Sequence, residues 1–326
     1  MQAELGELHL PFVCMYHFPV ESSLAHLPLL LHRFELLELL SASAHPEGVQ
    51  LWKATDLALK NTVCLRISHN PECLHHEFNT HKLLMAANVM GPLPGEGVSQ
   101  VDVPPGFRPL HLFPLEFMDH DLQTFLYRAA NGRLPVFQAR EIVFRVCQAI
   151  HHLHDEEKVA HCDIQPAHIV LSSSVVDVRL TSLKAVQNRR DAIHHLKLHE
   201  VLALPSRRVM YLAPEYFRLW TQPSDQGAEA TTYASADVWA IGVLFFEMLY
   251  GRHPFFEGLL ELASADKVKY GHLLAAYGEH KGPPLVFPDS PADVPDGAKQ
   301  LIRECLAPNP AQRPSAISLL TNQYIT

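Results

Sequence analysis

The sequence predicts an α+β fold in which a small strand-rich part comes first and a larger helical part follows. In the helical part, residues 135–154 carry apolar side chains at helical spacing, and Asp121 is an N-cap candidate for an earlier helix. In the first part, residues 34–40, 50–54 and 62–67 are assigned as strands through a resemblance carried by the motifs below. Hydrophobic residues make up 48% of the 326, which is ample for a packed core.

Composition narrows the class of partner and the cellular compartment. The 26 basic and 35 acidic residues leave a net charge of -9, which argues against a nucleic acid or an anionic membrane as the main partner. The six cysteines lie far apart in the sequence and form no CxxC pair, which indicates reduced thiols. The first residues lack the pattern of a secretory signal, and the apolar runs are short for a membrane span. We therefore expect a cytoplasmic or nuclear protein without membrane insertion.

Sequence motifs carry the fold assignment. Residues 161–171 read His-Cys-Asp-Ile-Gln-Pro-Ala-His-Ile-Val-Leu, and Ser-Leu-Lys follows at 182–184. Further along are Ala-Pro-Glu at 213–215, Asp-Val-Trp-Ala-Ile-Gly at 237–242 and Asn-Pro-Ala-Gln-Arg-Pro at 309–314. In order and spacing these resemble the motifs of eukaryotic protein kinases. The resemblance implies a two-lobed fold, with an extension at residues 1–32, a β-rich N-lobe at 33–118 and a helical C-lobe at 119–326.

The resemblance also implies which residues line a nucleotide cleft. Arg66 stands where the family has its strand lysine, and Glu77 where it has the partner glutamate on the next helix. Leu115 takes the gatekeeper position and Met118 lies in the hinge. Residues 41–48 replace the glycine-rich phosphate loop and include a proline and a glutamate. Because an arginine does not substitute freely for a lysine and the glycines are missing, we expect ATP binding to be weak or absent.

At the catalytic loop, the same resemblance places Asp163 at the position of the base that takes the proton of the acceptor hydroxyl. Gln165 replaces the loop lysine, His168 replaces the metal-binding asparagine, and Ser182 replaces the metal-binding aspartate. These replacements predict a pseudokinase that uses no cofactor, holds no metal and transfers no phosphate from ATP above background. In this interpretation Asp163 only caps the loop.

Four other residues are predicted to act in folding. Glu215 and Arg313 stand where kinases have a buried ion pair that ties the activation segment to the C-lobe. Asp237 is expected to accept hydrogen bonds from the backbone of the catalytic loop and so to hold His161 in place. Breaking one side of such a buried pair typically costs about 3–5 kcal/mol.

Several residues near the catalytic loop have both a structural and a functional interpretation. The histidines at positions 151, 152, 154 and 161 lack the cysteines or carboxylates of a zinc set, so a metal site is not expected there. Cys162 replaces the arginine that receives an activation-segment phosphate in many kinases, and Ser206 precedes two arginines as a modifiable hydroxyl. Residues 217–235 form either a solvated insertion or a partner loop.

Together these observations favour a catalytically inactive scaffold or allosteric regulator of protein partners, such as an active kinase or a larger complex. Two alternatives stay open. In the first, the chain is an atypical serine/threonine kinase with residual ATP-dependent activity, in which Asp163 still works with a metal held by unexpected groups. In the second, it is a small-ligand sensor that uses the cleft without a metal. Fold alone does not choose among them, because function depends on the site.

Overall fold

The described part of the chain consists of residues 24, 29–41, 48–103, 105–220, 232–255, 264–291 and 293–326 of a computed structural model. Most of the predicted extension at residues 1–32, most of the replaced phosphate loop and residues 221–231 of the segment 217–235 lie outside it. The chain divides into two compact units, residues 1–76 with 94–115, and residues 77–93 with 116–326. The division at 32 and 118 that the sequence suggests stays a prediction.

The N-terminal unit is built on an antiparallel sheet. Its strands are β1 (Leu29–Leu30), β2 (Phe34–Ser41), β3 (Gln50–Asp56), β4 (Asn61–Ser68), β5 (Ser99–Val101) and β6 (Leu110–Glu116), in the spatial order β1-β2-β3-β4-β6-β5. From Val63 onward β4 is buried on both faces, as expected of a β-branched central strand. Pro114 lies in β6 beyond the three residues paired with β5, so its missing N–H costs no bond to that strand.

Helix α1 (Pro71–Leu84) joins the two units in sequence and is 14 residues long. The short spacing between Arg66 and Glu77 predicts a helix that is either short or displaced, and with 14 residues the helix is not short. The helix starts only three residues after β4 ends, so the chain has room for it. Acidic Glu72 in the first turn and basic Lys82 in the last turn both complement the helix dipole.

The C-terminal unit is mainly helical. Its helices are α2 (Leu122–Arg128), α3 (Val136–His151), α4 (Leu198–Ala203), α5 (Ser206–Tyr211), α6 (Tyr233–Tyr250), α7 (Ser264–Gly278), α8 (Asp296–Cys305) and α9 (Ala316–Leu320). As expected, Asp121 caps α2, since its Oδ1 accepts a hydrogen bond from the backbone N–H of Thr124 at 2.8 Å. A β-rich first unit followed by this helical unit confirms the predicted α+β class.

Short strands in this unit position the catalytic loop. They are β7 (His120–Asp121), β8 (Val159–Ala160), β9 (Ile169–Leu171), β10 (Val178–Leu180) and β11 (Gln187–Asn188). Strand β9 lies between β7 and β10, and β8 pairs with β11. The β8–β11 and β9–β10 pairs thus fix the two ends of the segment that holds the motif residues.

The core of this unit forms around α6, which is buried along nearly its whole length. By length and composition α6 is apolar enough to cross a membrane, but 83% of that stretch is buried inside the protein, where it packs as a core helix. The helix ends at Gly251, whose φ of 66° is left-handed. A Cβ at this position would lie 2.2 Å from the backbone oxygen of Asn131, so the close approach requires glycine.

Candidate active site

Asp237 holds the catalytic loop from within the core. Its Oδ2 accepts a hydrogen bond from the backbone N–H of His161 at 2.7 Å, and its Oδ1 accepts one from that of Cys162 at 2.8 Å. The ring of His154 contacts the same carboxylate, with Nε2 and Oδ2 2.9 Å apart. The carboxylate is almost fully buried, and three donors satisfy it. Asp237 therefore fixes the backbone at the start of the loop, as the sequence suggested.

His161 connects the loop to the segment after β10. Its Nε2 donates to the carbonyl oxygen of Thr181 at 2.9 Å, and its Nδ1 accepts from the backbone N–H of Asp163 at 3.2 Å. Both ring nitrogens are thus used by the neutral form with the proton on Nε2. His161 sets the direction of the chain at both Asp163 and Ser182.

Asp163 presents a partly exposed carboxylate at the centre of the site. Its Oδ1 accepts a hydrogen bond from Nε2 of Gln165 at 2.8 Å and lies 3.5 Å from Nε of Arg208. Its Oδ2 lies 3.6 Å from Nδ1 of His168, which is too far for a hydrogen bond. One carboxylate oxygen is therefore held by side chains, and the other is able to accept a proton.

His168, at the position of the metal-binding asparagine, turns one nitrogen back to the loop. Its Nδ1 donates to the backbone oxygen of Asp163 at 2.8 Å. Burial lowers the pKa of this imidazole below its usual value, even though the Asp163 carboxylate acts in the opposite direction. The neutral ring with its proton on Nδ1 keeps Nε2 as an acceptor.

Ser182 begins the triplet that replaces the metal-binding motif and has left-handed φ and ψ angles of 64° and 56°. A single 3₁₀ turn, Leu183–Ala185, follows it. In that turn the Nζ of Lys184 lies 3.7 Å from Oε2 of Glu77, whose side chain is buried. Glu77, the predicted partner glutamate, therefore faces Lys184 of the triplet, and both residues belong to the C-terminal unit.

The remaining residues predicted to line the cleft fall on both units. Arg66 is buried on β4 of the N-terminal unit, opposite Leu51 of β3, and Leu115 is buried on β6. Met118 belongs to the C-terminal unit and is half-buried, and the nearby Glu116 pairs with Arg179 at 2.6 Å.

The predicted ion pair of the activation segment is present and bidentate. Nη1 and Nη2 of Arg313 donate to the two carboxylate oxygens of Glu215 at 2.7 and 2.9 Å. The guanidinium also donates to the backbone oxygens of Ser235 and Ala307, both at 3.0 Å, and stacks over Trp239. Both side chains are buried, so the pair ties together three separate parts of the C-terminal unit.

The neighbouring histidines use their rings for local contacts. After α3, residues His152–Glu156 form a π-helical turn. His151 pairs with Asp155 at 2.9 Å and His152 pairs with Glu156 at 2.8 Å. Within the described residues, no group of three or more His, Cys, Asp or Glu side chains is arranged to hold a metal ion.

Sequence reasoning did not identify Arg208 as a site residue. It noted the arginine only as a neighbour of Ser206. The contact between Arg208 and Asp163 depends on how α5 is rotated, and α5 is fixed by residues of α6 far along the chain. No local pattern in residues 206–208 gives that rotation.

The fold and the loop define a class of protein. The protein kinase domain family matches residues 109–325, and the chain belongs to this family. It is 26% identical over 206 residues to the serine/threonine-protein kinase TOUSLED of Arabidopsis thaliana, across 63% of this chain and 27% of that protein. The serine/threonine-protein kinase tousled-like 1-B of Danio rerio is 25% identical over 65% of this chain and 26% of that protein.

A bacterial relative agrees with this assignment. The serine/threonine-protein kinase PkaA of Streptomyces coelicolor is 29% identical over 59% of this chain and 30% of that protein. The similarity to all three relatives therefore covers about a quarter to three tenths of their own length.

These relatives correct the functional expectation. They are named as serine/threonine kinases, so the interpretation as a catalytically inactive scaffold, and with it the expectation that the chain is not an enzyme, is wrong. The expectations that no cofactor is used and that ATP binding is weak or absent are wrong for the same reason, because protein kinases use ATP with magnesium. Sequence reasoning counted the side chains replaced at four motif positions and did not identify the contacts of Arg208 with Asp163 and of Lys184 with Glu77.

The donor set at the metal positions does not fit magnesium closely. Magnesium prefers octahedral oxygen ligands, chiefly carboxylates, phosphates and water. The two family positions offer an imidazole at His168 and a hydroxyl at Ser182, and the carboxylate of Asp163 lies 3.6 Å from the imidazole. The residues at these two positions therefore do not provide the ligands that magnesium prefers.

Proposed function

We propose that this chain is a serine/threonine protein kinase that transfers the γ-phosphoryl group of ATP to a protein hydroxyl. The single observation that carries the proposal is the setting of Asp163. Asp237 and His161 fix its backbone, and its Oδ2 is within reach of no hydrogen-bond donor among the described residues. Membership of the kinase family and three relatives named as serine/threonine kinases support it.

The proposed chemistry assigns one proton transfer to Asp163. The acceptor hydroxyl gives its proton to Oδ2, its oxygen bonds to the γ-phosphorus, and the bond from that phosphorus to the bridging oxygen breaks to release ADP. Gln165 holds Oδ1, so the carboxylate stays in one orientation while Oδ2 receives the proton. Such general base assistance contributes about 10²–10⁴-fold.

Protein substrates in the cytoplasm or nucleus are part of the same proposal. The net charge of -9 favours neither nucleic acids nor anionic membranes as partners. The cysteines at positions 64, 147, 162 and 305 are free thiols, which fits a reducing compartment.

The test is radiolabelled phosphate transfer from ATP, with magnesium and separately with manganese, to the chain itself and to generic protein substrates. We expect incorporation above background for the wild type and a loss of about 10²-fold or more for Asp163→Asn. The matched control is Asp191→Asn, which makes the same chemical change at an exposed position of the following segment and is expected to leave incorporation unchanged. Equal incorporation by the wild type and Asp163→Asn, or none by the wild type, would overturn the proposal.

A further inference from the structure

Arg208 is the cation next to the proposed base. Its Nε lies 3.5 Å from Oδ1 of Asp163, the same oxygen that accepts the hydrogen bond from Gln165. This Nε is buried and makes no hydrogen bond to any described residue. The contact with Asp163 is therefore electrostatic, and it leaves donors of the guanidinium fork for a second anionic group.

Helix α5 holds Arg208 in this position through the buried side chains around it. The preceding Arg207 turns the other way, and its Nη2 donates to Oε1 of Glu247 on α6 at 2.6 Å. The hydroxyl of Tyr211, at the end of α5, donates to the other oxygen of Glu247. Because adjacent residues of a helix point about 100° apart, fixing Arg207 against Glu247 also fixes the direction of Arg208.

The carbonyl of Met210 gives α5 a second attachment. It accepts hydrogen bonds from Nε2 of His253 and from the hydroxyl of Tyr270, both at 2.8 Å. The side chains of Tyr211, Glu247, His253 and Tyr270 are buried, and such buried hydrogen bonds hold α5 in place. Only Nε and Nη1 of Arg207 in this network are buried without a hydrogen bond to a described residue. Arg208 is therefore presented to Asp163 by a fixed element, although its own side chain remains about one-third exposed.

Arg208 places a positive charge beside Asp163, and the catalytic loop has no such charge of its own. A kinase has a lysine at the position of Gln165, and a glutamine carries no charge. We propose that Arg208 takes over this role: it positions Asp163 and supplies the positive charge that favours the transferring phosphoryl group. The inference rests on the proposed kinase function and identifies Arg208, on α5, as a positioning residue for that reaction.

The first test measures phosphate transfer by Arg208→Gln, Arg208→Lys and the control Arg190→Gln. Arg190 is an exposed arginine of the same segment, so its variant loses the same charge away from the site. Removing one electrostatic contributor of this kind lowers kcat by about 10²–10³-fold, and we expect this loss for Arg208→Gln with the KM for ATP within a few-fold. Arg208→Lys is expected to retain at least ten times the kcat of Arg208→Gln, and Arg190→Gln to match the wild type.

A rescue experiment separates this role from simple support of the fold. Adding Gln165→Lys to Arg208→Gln returns a cation to the loop, and we expect kcat to rise at least tenfold above that of Arg208→Gln. A residue that only supported the fold would not be rescued by a charge on another element. Activity of Arg208→Gln equal to or above the wild type, or no rescue, would overturn the inference.

A double-mutant cycle tests the contact in the free protein, without ATP. The unfolding midpoints of Asp163→Asn, Arg208→Gln and the double variant are compared with the wild type. We expect the double variant to lose less than the sum of the single losses, because each single change already removes the pair. Additive losses would overturn the inference even if the chain is an active kinase. An inactive wild type whose cycle still shows coupling would instead overturn the proposed function, and the assigned role of Arg208 with it.

Discussion

Two regions of the C-terminal unit differ in whether they keep the residues of the kinase motifs. The loop frame, which comprises His154, His161, Glu215, Asp237 and Arg313, has the residue types that the kinase motifs predict, and its side chains are buried and hydrogen-bonded to one another or to backbone. The hairpin ends, His168 before β9 and Ser182 after β10, carry replacements and are half-buried. Removing one member of a buried network leaves its partners without hydrogen bonds, whereas a half-exposed position tolerates a replacement more easily because water reaches it. Burial alone does not decide where replacements fall, since Gln165 and Arg66 are replacements at buried positions.

The comparison predicts its largest effect in the loop frame, at Arg313. Arg313→Ala leaves the buried carboxylate of Glu215 without its bidentate partner and removes the donors to Ser235 and Ala307. We expect a loss of about 3–5 kcal/mol in the free energy of unfolding, measured by urea denaturation of the full chain. Arg190→Ala, which changes an exposed arginine, is the control and should stay within about 0.5 kcal/mol of the wild type. A melting temperature within a degree of the wild type would show that the ion pair does not tie the unit together.

The loop frame and the fold were also the parts that the sequence could predict. The motifs predicted that Asp237 accepts hydrogen bonds from the backbone N–H groups of the loop and that Glu215 pairs with Arg313, since these contacts follow from a fold that the motifs identify. At the site, the sequence predicted which positions are involved but not which side chains contact one another. That Arg208 faces Asp163 depends on the packing of α5 against Glu247, and Lys184 reaches Glu77 across the C-terminal unit. Counting replacements within motifs therefore led to the wrong conclusion about activity.

We expect an effect of intermediate size from His253, which belongs to the network that fixes α5. This effect is on the pH dependence of the free energy of unfolding. Burial lowers the pKa of His253 to about 3, and its Nε2 donates to the carbonyl of Met210 in the neutral form. In the unfolded chain this histidine has a pKa near 6.5, so between about pH 6.5 and pH 3 the unfolded state binds the extra proton. Stability is therefore lost as the pH falls through this window, by roughly 2 kcal/mol from this residue between pH 7 and pH 5.

The measurement for His253 compares urea denaturation of the wild type and His253→Asn at pH 7 and pH 5. Because asparagine does not titrate, the variant should lose roughly 2 kcal/mol less than the wild type over this interval. All other titrating groups are common to the two proteins, so the difference isolates His253. Equal losses would mean that His253 is protonated in the folded protein, and the rigid attachment of Met210 would have to be abandoned.

The smallest effect is expected beside the hairpin ends, at Lys184. Its Nζ lies 3.7 Å from the buried carboxylate of Glu77, but half of the lysine side chain is exposed to water. Solvent screens such a pair, so Lys184→Gln should cost at most about 1 kcal/mol, and less at high salt. The chain offers a matched control in Lys269→Gln, whose ammonium lies the same 3.7 Å from Asp266 on an exposed surface. If the replaced triplet contributes little to stability, urea denaturation will give similar small losses for the two variants.

A loss of several kcal/mol for Lys184→Gln alone would show that the buried Glu77 depends on this lysine as Glu215 depends on Arg313. The segment after β10 would then belong with the loop frame, and the distinction between the two regions would fail there.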